Sequence, residues 1–306
     1  MANPGIIEDT EWNAIQTTIA RVLGAPDGSI LDLGYNTPGS ITSAQVANNA
    51  TILGSHWNTL RTDVNIAIRN QTGSNTALVT KGTSDIIFSS DFTLLAGQIA
   101  TADTNRGNVS DGELVFQNGP DGTFTAAWAS STVFEGRIAF GTNAQFRGFW
   151  NAGGRIVFSA SRSGGSATTH NASWTNLLDS MGSVVLRRTS MAQTGQTATG
   201  TYSNSGNLGV YGAGIGTGYT TVFTLEDSGN PTPSYQPNDY RIDLRYDSAS
   251  MFSASYVDFR IVLSDDHVPV GAGPDFIDGT LTLNCDIFYP FSNSATAVSS
   301  IGSSQT

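Results

Sequence analysis

The hydrophobic period changes part-way along the chain. In EDTEWNAIQTTIARVLG, Trp12, Ile15, Ile19 and Val22 recur at steps of three and four, which is one face of a helix. Asp9 or Thr10 is the expected N-cap and Gly24 the stop. SHWNTLRTDVNIAIRNQTG repeats the scheme with Trp57, Leu60, Val64 and Ala67, Ser55 as N-cap, and Gly73 after the last turn. Both segments open alike, on Trp12-Asn13 and Trp57-Asn58. Two short amphipathic helices make a poor domain by themselves. Trp12, Ile15, Ile19, Trp57, Leu60 and Val64 are therefore expected to dock on a partner. The intervening APDGSILDLGYNTPGS reads as a loop, and ITSAQVANNATIL as a short third helix capped by Thr42 or Ser43.

From about residue 82 the period becomes two. ELVFQ, FTAAW, FEGRIAF, RIVFSAS, TTVFTLED, DYRIDLRYD, YVDFRIVLSD and LTLNCDIFY read as strands. In DYRIDLRYD, Tyr240, Ile242, Leu244 and Tyr246 share one face, and Arg241, Asp243 and Arg245 the other. YVDFRIVL repeats this, with Asp258 and Arg260 outward. Arg and Asp are thus expected to meet across neighbouring strands or across a subunit contact. NASWTNLLDSMG predicts one helix inside the strand region, with Ser173 as cap and Gly182 closing it. The expected fold is mainly β, an antiparallel β-sandwich of jelly-roll-like type preceded by a helical pair. The expected division is a helical docking segment over 1–80, a β-sandwich over 81–291, and a polar tail over 292–306 that is disordered by composition.

Composition sharpens this in two ways. The 34 glycines and a charged fraction of only 13% suit short strands and tight turns. Lys81 is the only lysine, so nearly all positive charge is arginine, which suits interfaces as well as a codon bias does. A net charge of −11 without a basic run speaks against nucleic-acid binding. No apolar stretch is long enough to cross a bilayer, and MANPGIIEDT has no signal-peptide pattern. The expectation is assembly in a host cytoplasm without membrane insertion.

Candidate chemistry is sparse. Cys285 falls on the inward parity of its strand with Leu283 and Ile287, so it reads as core. Asp265, Asp266 and His267 are adjacent, but a strand exit explains them more simply than a metal site does. SRSGGSATTH lacks the Lys and the immediate helix of a phosphate loop. Glu113, Glu135, Asp179 and Glu226 show no pairing of the kind that cleaves glycans. Trp128, Trp150 and Tyr235 are the aromatic candidates for a glycan or contact loop. No catalytic residue, cofactor or metal is expected.

Two segments carry a resemblance. HWNTLRTDVNIAIRNQTG, with its preface ITSAQVANNATIL, and FWNAGGRIVFSASRSGGSATTHNASWTNLLDSMG are similar to a family of virion structural proteins of tailed phages, notably marine and cyanobacterial myoviruses. The resemblance implies a structural component of the virion and brings no catalytic residues. The leading expectation built on it is a part of the neck, tail or fibre region, a homo-oligomer with other virion proteins as partners. A receptor- or glycan-binding fibre module that reads host-surface glycans, a capsid decoration protein and a spike depolymerase are the rival readings.

Overall fold

The computed structural model describes residues 7–24, 34–36, 41–194, 209–227, 230–267, 276–290 and 299–305, the last as backbone alone. The chain divides into two units. A helical unit takes Met1–Val115, Arg147–Gly154 and Tyr289–Thr296; a β unit takes Phe116–Phe146, Arg155–Phe288 and Ala297–Thr306.

The helical unit holds three helices instead of the expected pair: α1 (Asp9–Leu23), α2 (Gly54–Thr72) and α3 (Ser89–Thr104). Helical structure thus runs past residue 82, where strands were expected, and the unit runs past residue 80. The third helix follows the template of the other two. Phe92, Leu95 and Ile99 repeat the spacing of Trp12, Ile15 and Ile19, and of Trp57, Leu60 and Val64. Five residues before each aromatic stands an isoleucine: Ile7, Ile52 and Ile87.

The helix starts repeat as well. The side chains of Glu11, His56 and Asp91 accept the backbone N–H of Glu8, Leu53 and Phe88 at 3.3, 3.2 and 2.9 Å. This is the returning half of a capping box. It places the caps at Glu8 and Leu53, ahead of the expected Asp9, Thr10 and Ser55. Gly73 closes α2 in the left-handed conformation, as glycine does without steric cost.

After α1 and α2 the chain returns as a strap held by the preceding helix. The Asn13 amide donates to the Val46 carbonyl at 3.0 Å and accepts the Val46 N–H at 2.8 Å. Asn58 does the same with Lys81, at 2.8 and 2.9 Å. One turn further on, Gln16 donates to the Ser43 carbonyl and Arg61 to that of Leu78. The expected helix in ITSAQVANNATIL is absent for this reason. The wholly buried Asp63 carboxylate takes the N–H and hydroxyl of both Thr42 and Ser43, at 2.6–3.0 Å. Those amides then have a stronger partner than a helical turn offers.

In the β unit, a six-stranded sheet takes β1 (Leu114–Asn118), β2 (Gly122–Phe124), β4 (Arg155–Ser163), β5 (Ser183–Leu186), β6 (Met191–Gln193) and β10 (Thr280–Pro290). Its order is β1-β10-β4-β5-β6, with β2 also on β10. A five-stranded sheet takes β3 (Ser131–Ala139), β7 (Thr220–Glu226), β8 (Asp239–Tyr246), β9 (Tyr256–Ser264) and β11 (Ser299–Gln305), in the order β11-β3-β9-β8-β7. Neighbours in the second sheet run antiparallel. The two sheets face each other through rings such as Phe158 and Phe259, 5.1 Å apart. The fold is a mainly β antiparallel sandwich that follows a helical N-terminal segment along the chain, as the change of period predicts.

Three local expectations are corrected. Of FTAAW only Phe124 belongs to a strand, while Trp128 makes an isolated bridge to Ile277. The helix in NASWTNLLDSMG is α5 (Thr169–Met181), capped by the Thr168 hydroxyl and not by Ser173, whose hydroxyl instead donates to Asp227. Within the expected polar tail, Ser299–Gln305 forms β11 on the outer edge of β3, where unpaired backbone groups accept a polar strand, and residues 292–298 lie outside the described residues. Of the glycine-rich stretch over 193–219, residues 195–208 lie outside the described residues, and Gly209–Gly212 forms a short helical turn.

Candidate functional site

The six residues expected to dock on a partner are core residues of the helical unit. Trp12, Ile19, Trp57, Leu60 and Val64 are buried with Leu95 and Ile99 of α3, and Ile15 packs partly buried against them. The missing partner surface for the first two helices is the third helix of the same chain.

The apolar surface left outside lies elsewhere on this unit. Among the described residues, five of the seven large apolar side chains with the greatest exposure fall between residues 53 and 94: Leu53, Val79, Ile86, Phe88 and Leu94. Leu53, Ile86 and Phe88 are 52, 69 and 59% exposed. Ile86 lines a groove of about 790 Å³ at the entrance to all three helices, and Leu53 and Phe88 follow its lining residues Ile52 and Ile87 in the chain. Ile7, Ile52 and Ile87, one from each repeat, line it together with Ile86. The repeat explains the convergence: each isoleucine stands two residues before its helix, so side-by-side helices bring the three together.

The groove has an acidic rim from Glu8, Asp9 and Asp85, and among the described residues no basic side chain lines it. Two of these carboxylates also brace the backbone. Asp9 accepts the Asn49 N–H at 2.7 Å, and Asp85 accepts the Gly82 N–H at 2.6 Å. Beside it, Lys81 is tied to Asp91 at 2.7 Å, with its ammonium 5.9 Å from the Phe88 ring. The arrangement can hold apolar side chains over isoleucines while cationic groups meet carboxylates at the edge.

One cluster of titratable groups in the β unit lies near one end of the five-stranded sheet. His170 is fully buried, stacked on Tyr235 at 4.8 Å, and its Nε2 lies 2.8 Å from Asp265 Oδ1. His267 packs 5.1 Å from the same ring, and its Nδ1 is 3.2 Å from the Ser234 carbonyl. Asp265 and His267 thus both meet His170, one through a hydrogen bond and the other through ring packing. Among the described residues no three His, Cys, Asp or Glu side chains converge to hold a metal ion. Nearby, Asp239 stands opposite Glu226 across the β7–β8 ladder. Burial pushes its carboxyl up to about 6, the charges of Asp266 and Glu226 push the same way, and Arg241 opposes them.

The aromatic candidates for glycan contact are mostly enclosed. Trp150 is wholly buried and Tyr235 is covered by its stack on His170, so neither offers a face to a sugar. Trp128 is half-buried, edge-on to Trp174 at 4.9 Å. The glycine loop of SRSGGSATTH does cradle an anion, and that anion is the chain's own Asp278. Its carboxylate accepts Ser166 N–H at 3.0 Å, the Ser166 hydroxyl, and the Asn171 amide. Those bonds hold the Asp278 carboxyl below the usual range.

The groove is what sequence reading missed. Its signal was present as Ile-x₄-aromatic-x₂-aliphatic-x₃-aliphatic, three times over, but the third copy has Phe92-Thr93 where the others have Trp-Asn. Comparison of the chain with models of known protein families, with curated proteins and with solved structures finds no match.

Proposed function

We propose that this chain is a non-catalytic structural component of a bacteriophage virion, in the neck, tail or fibre region, and that it assembles through its helical unit. The observation that carries the docking half is the concentration of exposed apolar side chains at the helix entrances: Ile86 at the margin of a groove lined by Ile7, Ile52 and Ile87, with Leu53 and Phe88 next to Ile52 and Ile87 in the chain. Exposed apolar groups concentrated in one place mark contact surfaces. The virion half rests on the two segments at 56–73 and 149–182 that resemble tailed-phage structural proteins. A glycan-reading fibre tip finds less support, because two of its three aromatic candidates are buried.

The test is particle composition. Purified particles of a phage encoding this chain should contain it in stoichiometric amount by mass spectrometry, and antibody labelling should fall on the neck, tail or fibres. A Phe88→Asp chain that is folded should be missing from the particles. Absence of the unaltered chain from purified particles removes the virion reading, and full incorporation of the Phe88→Asp chain removes docking by this surface.

A further inference from the structure

We infer that the groove at the helix entrances receives a cationic, apolar segment of a partner protein: one that inserts aliphatic side chains between Ile7, Ile52 and Ile87 and sets Arg or Lys against Glu8, Asp9 and Asp85. This rests on the docking reading above and names the chemistry of its partner.

Three observations select that occupant. Four isoleucines and Ala50 line the groove beside the polar Asn49 and Thr51, with Ile86 69% exposed at the margin, so the part of the ligand set against the isoleucines is aliphatic. The rim carries three carboxylates and the lining, among the described residues, holds no cation, so the attraction is for positive charge. An acidic segment would be repelled there, more so by a chain of net charge −11. The volume of about 790 Å³ matches what a few side chains fill and lies within the range of ordinary ligand pockets. Asp9 and Asp85 already accept backbone N–H groups, so they are held in place before a cation arrives and lose little freedom on binding.

The experiment uses the purified full chain and two short synthetic peptides, one alternating Leu with Arg and one alternating Leu with Glu. Fluorescence anisotropy at low and physiological salt should show binding of the Leu/Arg peptide, weakened by salt, and none of the Leu/Glu peptide. Ile86→Asp should weaken it by about tenfold or more through lost apolar contact. Glu8→Lys should weaken it by about tenfold and flatten the salt dependence. Both variants alter exposed side chains, and unchanged thermal melting shows that the fold is intact.

Four results overturn the inference: no binding of the Leu/Arg peptide, equal binding of both peptides, binding indifferent to both variants, or binding that appears only after removal of residues 1–6. Self-association of the chain that Ile86→Asp abolishes would assign the groove to a second copy and also overturn it. Incorporation into particles is measured separately, so failure of this inference and failure of the virion reading are distinguishable.

Discussion

Arg260 on β9 donates from Nε to the Asp243 carboxylate on β8 at 2.6 Å, directly across the ladder that pairs the two residues. Asp243 is 1% exposed and also accepts the Thr221 hydroxyl at 2.7 Å. One step along, Asp258 accepts Arg137 from β3 and Arg245 from β8, so a single carboxylate joins three strands. Tyr219 lies beneath Arg245 and Arg260 at 4.6 and 4.5 Å. The Arg–Asp alternation read along each strand is therefore spent within the sheet. The carboxylates are buried and the arginines cover them.

Asp258→Ala should cost about 2–3 kcal/mol. Removing one member of a buried charge pair is expensive, but the arginines keep about a third or more of their side-chain surface in water, which softens the loss. Chemical denaturation read by circular dichroism checks this. A cost below about 0.5 kcal/mol would show that the ladder is ornamental to stability.

Asp239 gives the fold a pH dependence of known sign. Its carboxyl is raised to about 6 in the folded chain by burial, against an ordinary carboxylate value when unfolded. The folded state therefore holds the proton over a range where the unfolded state has lost it. The stability this contributes is complete below about pH 4 and is lost as pH rises to about 6. Asp239→Asn should stabilise the chain above pH 6 by about 1–2 kcal/mol, discounted for partial exposure, and should leave it unchanged near pH 4. Melting temperatures across that window decide the point.

Trp12→Ala and Phe88→Ser separate core from surface in the helical unit. Trp12 is fully buried, so its truncation should cost about 3–5 kcal/mol and melt the unit. Phe88 is 59% exposed, so its replacement should shift stability by no more than about 0.5 kcal/mol. Differential scanning calorimetry of both variants provides the comparison, and a large cost at Phe88 would mean that this ring is packed.

Asp63→Ala should release the strap at 41–43 without unfolding the helices. Four hydrogen bonds lose their acceptor, and two backbone amides lose their partner, at a cost of about 2–4 kcal/mol. Amide hydrogen exchange at Thr42 and Ser43 should accelerate while α1 and α2 stay protected.

Cys285 should not react with a soluble disulfide reagent until the chain is unfolded. The thiol is fully buried and burial pushes its pKa well above the ordinary value, so thiolate is scarce as well as inaccessible. Labelling at the rate of a free thiol in native buffer would contradict the burial.

Much of this architecture follows from period alone. Trp12-x-x-Ile15 and Trp57-x-x-Leu60 mark helices because side chains three and four apart share a face, and DYRIDLRYD marks a strand because its neighbours alternate. Local rules of that kind placed α1, α2, α5 and most strands, with the Arg and Asp residues on one side of theirs. They failed at α3, where Gly97 and the absence of a Trp-Asn pair hid the repeat, and at Thr42-Ser43, whose amides are claimed by a carboxylate about twenty residues away. Tertiary structure alone decided which strands are neighbours, that the six expected docking residues face one another, and that Ile7, Ile52 and Ile87 meet at one groove. Period reports which side of an element is apolar; what that side packs against depends on contacts between residues far apart in the chain, and these exist only once the elements have come together.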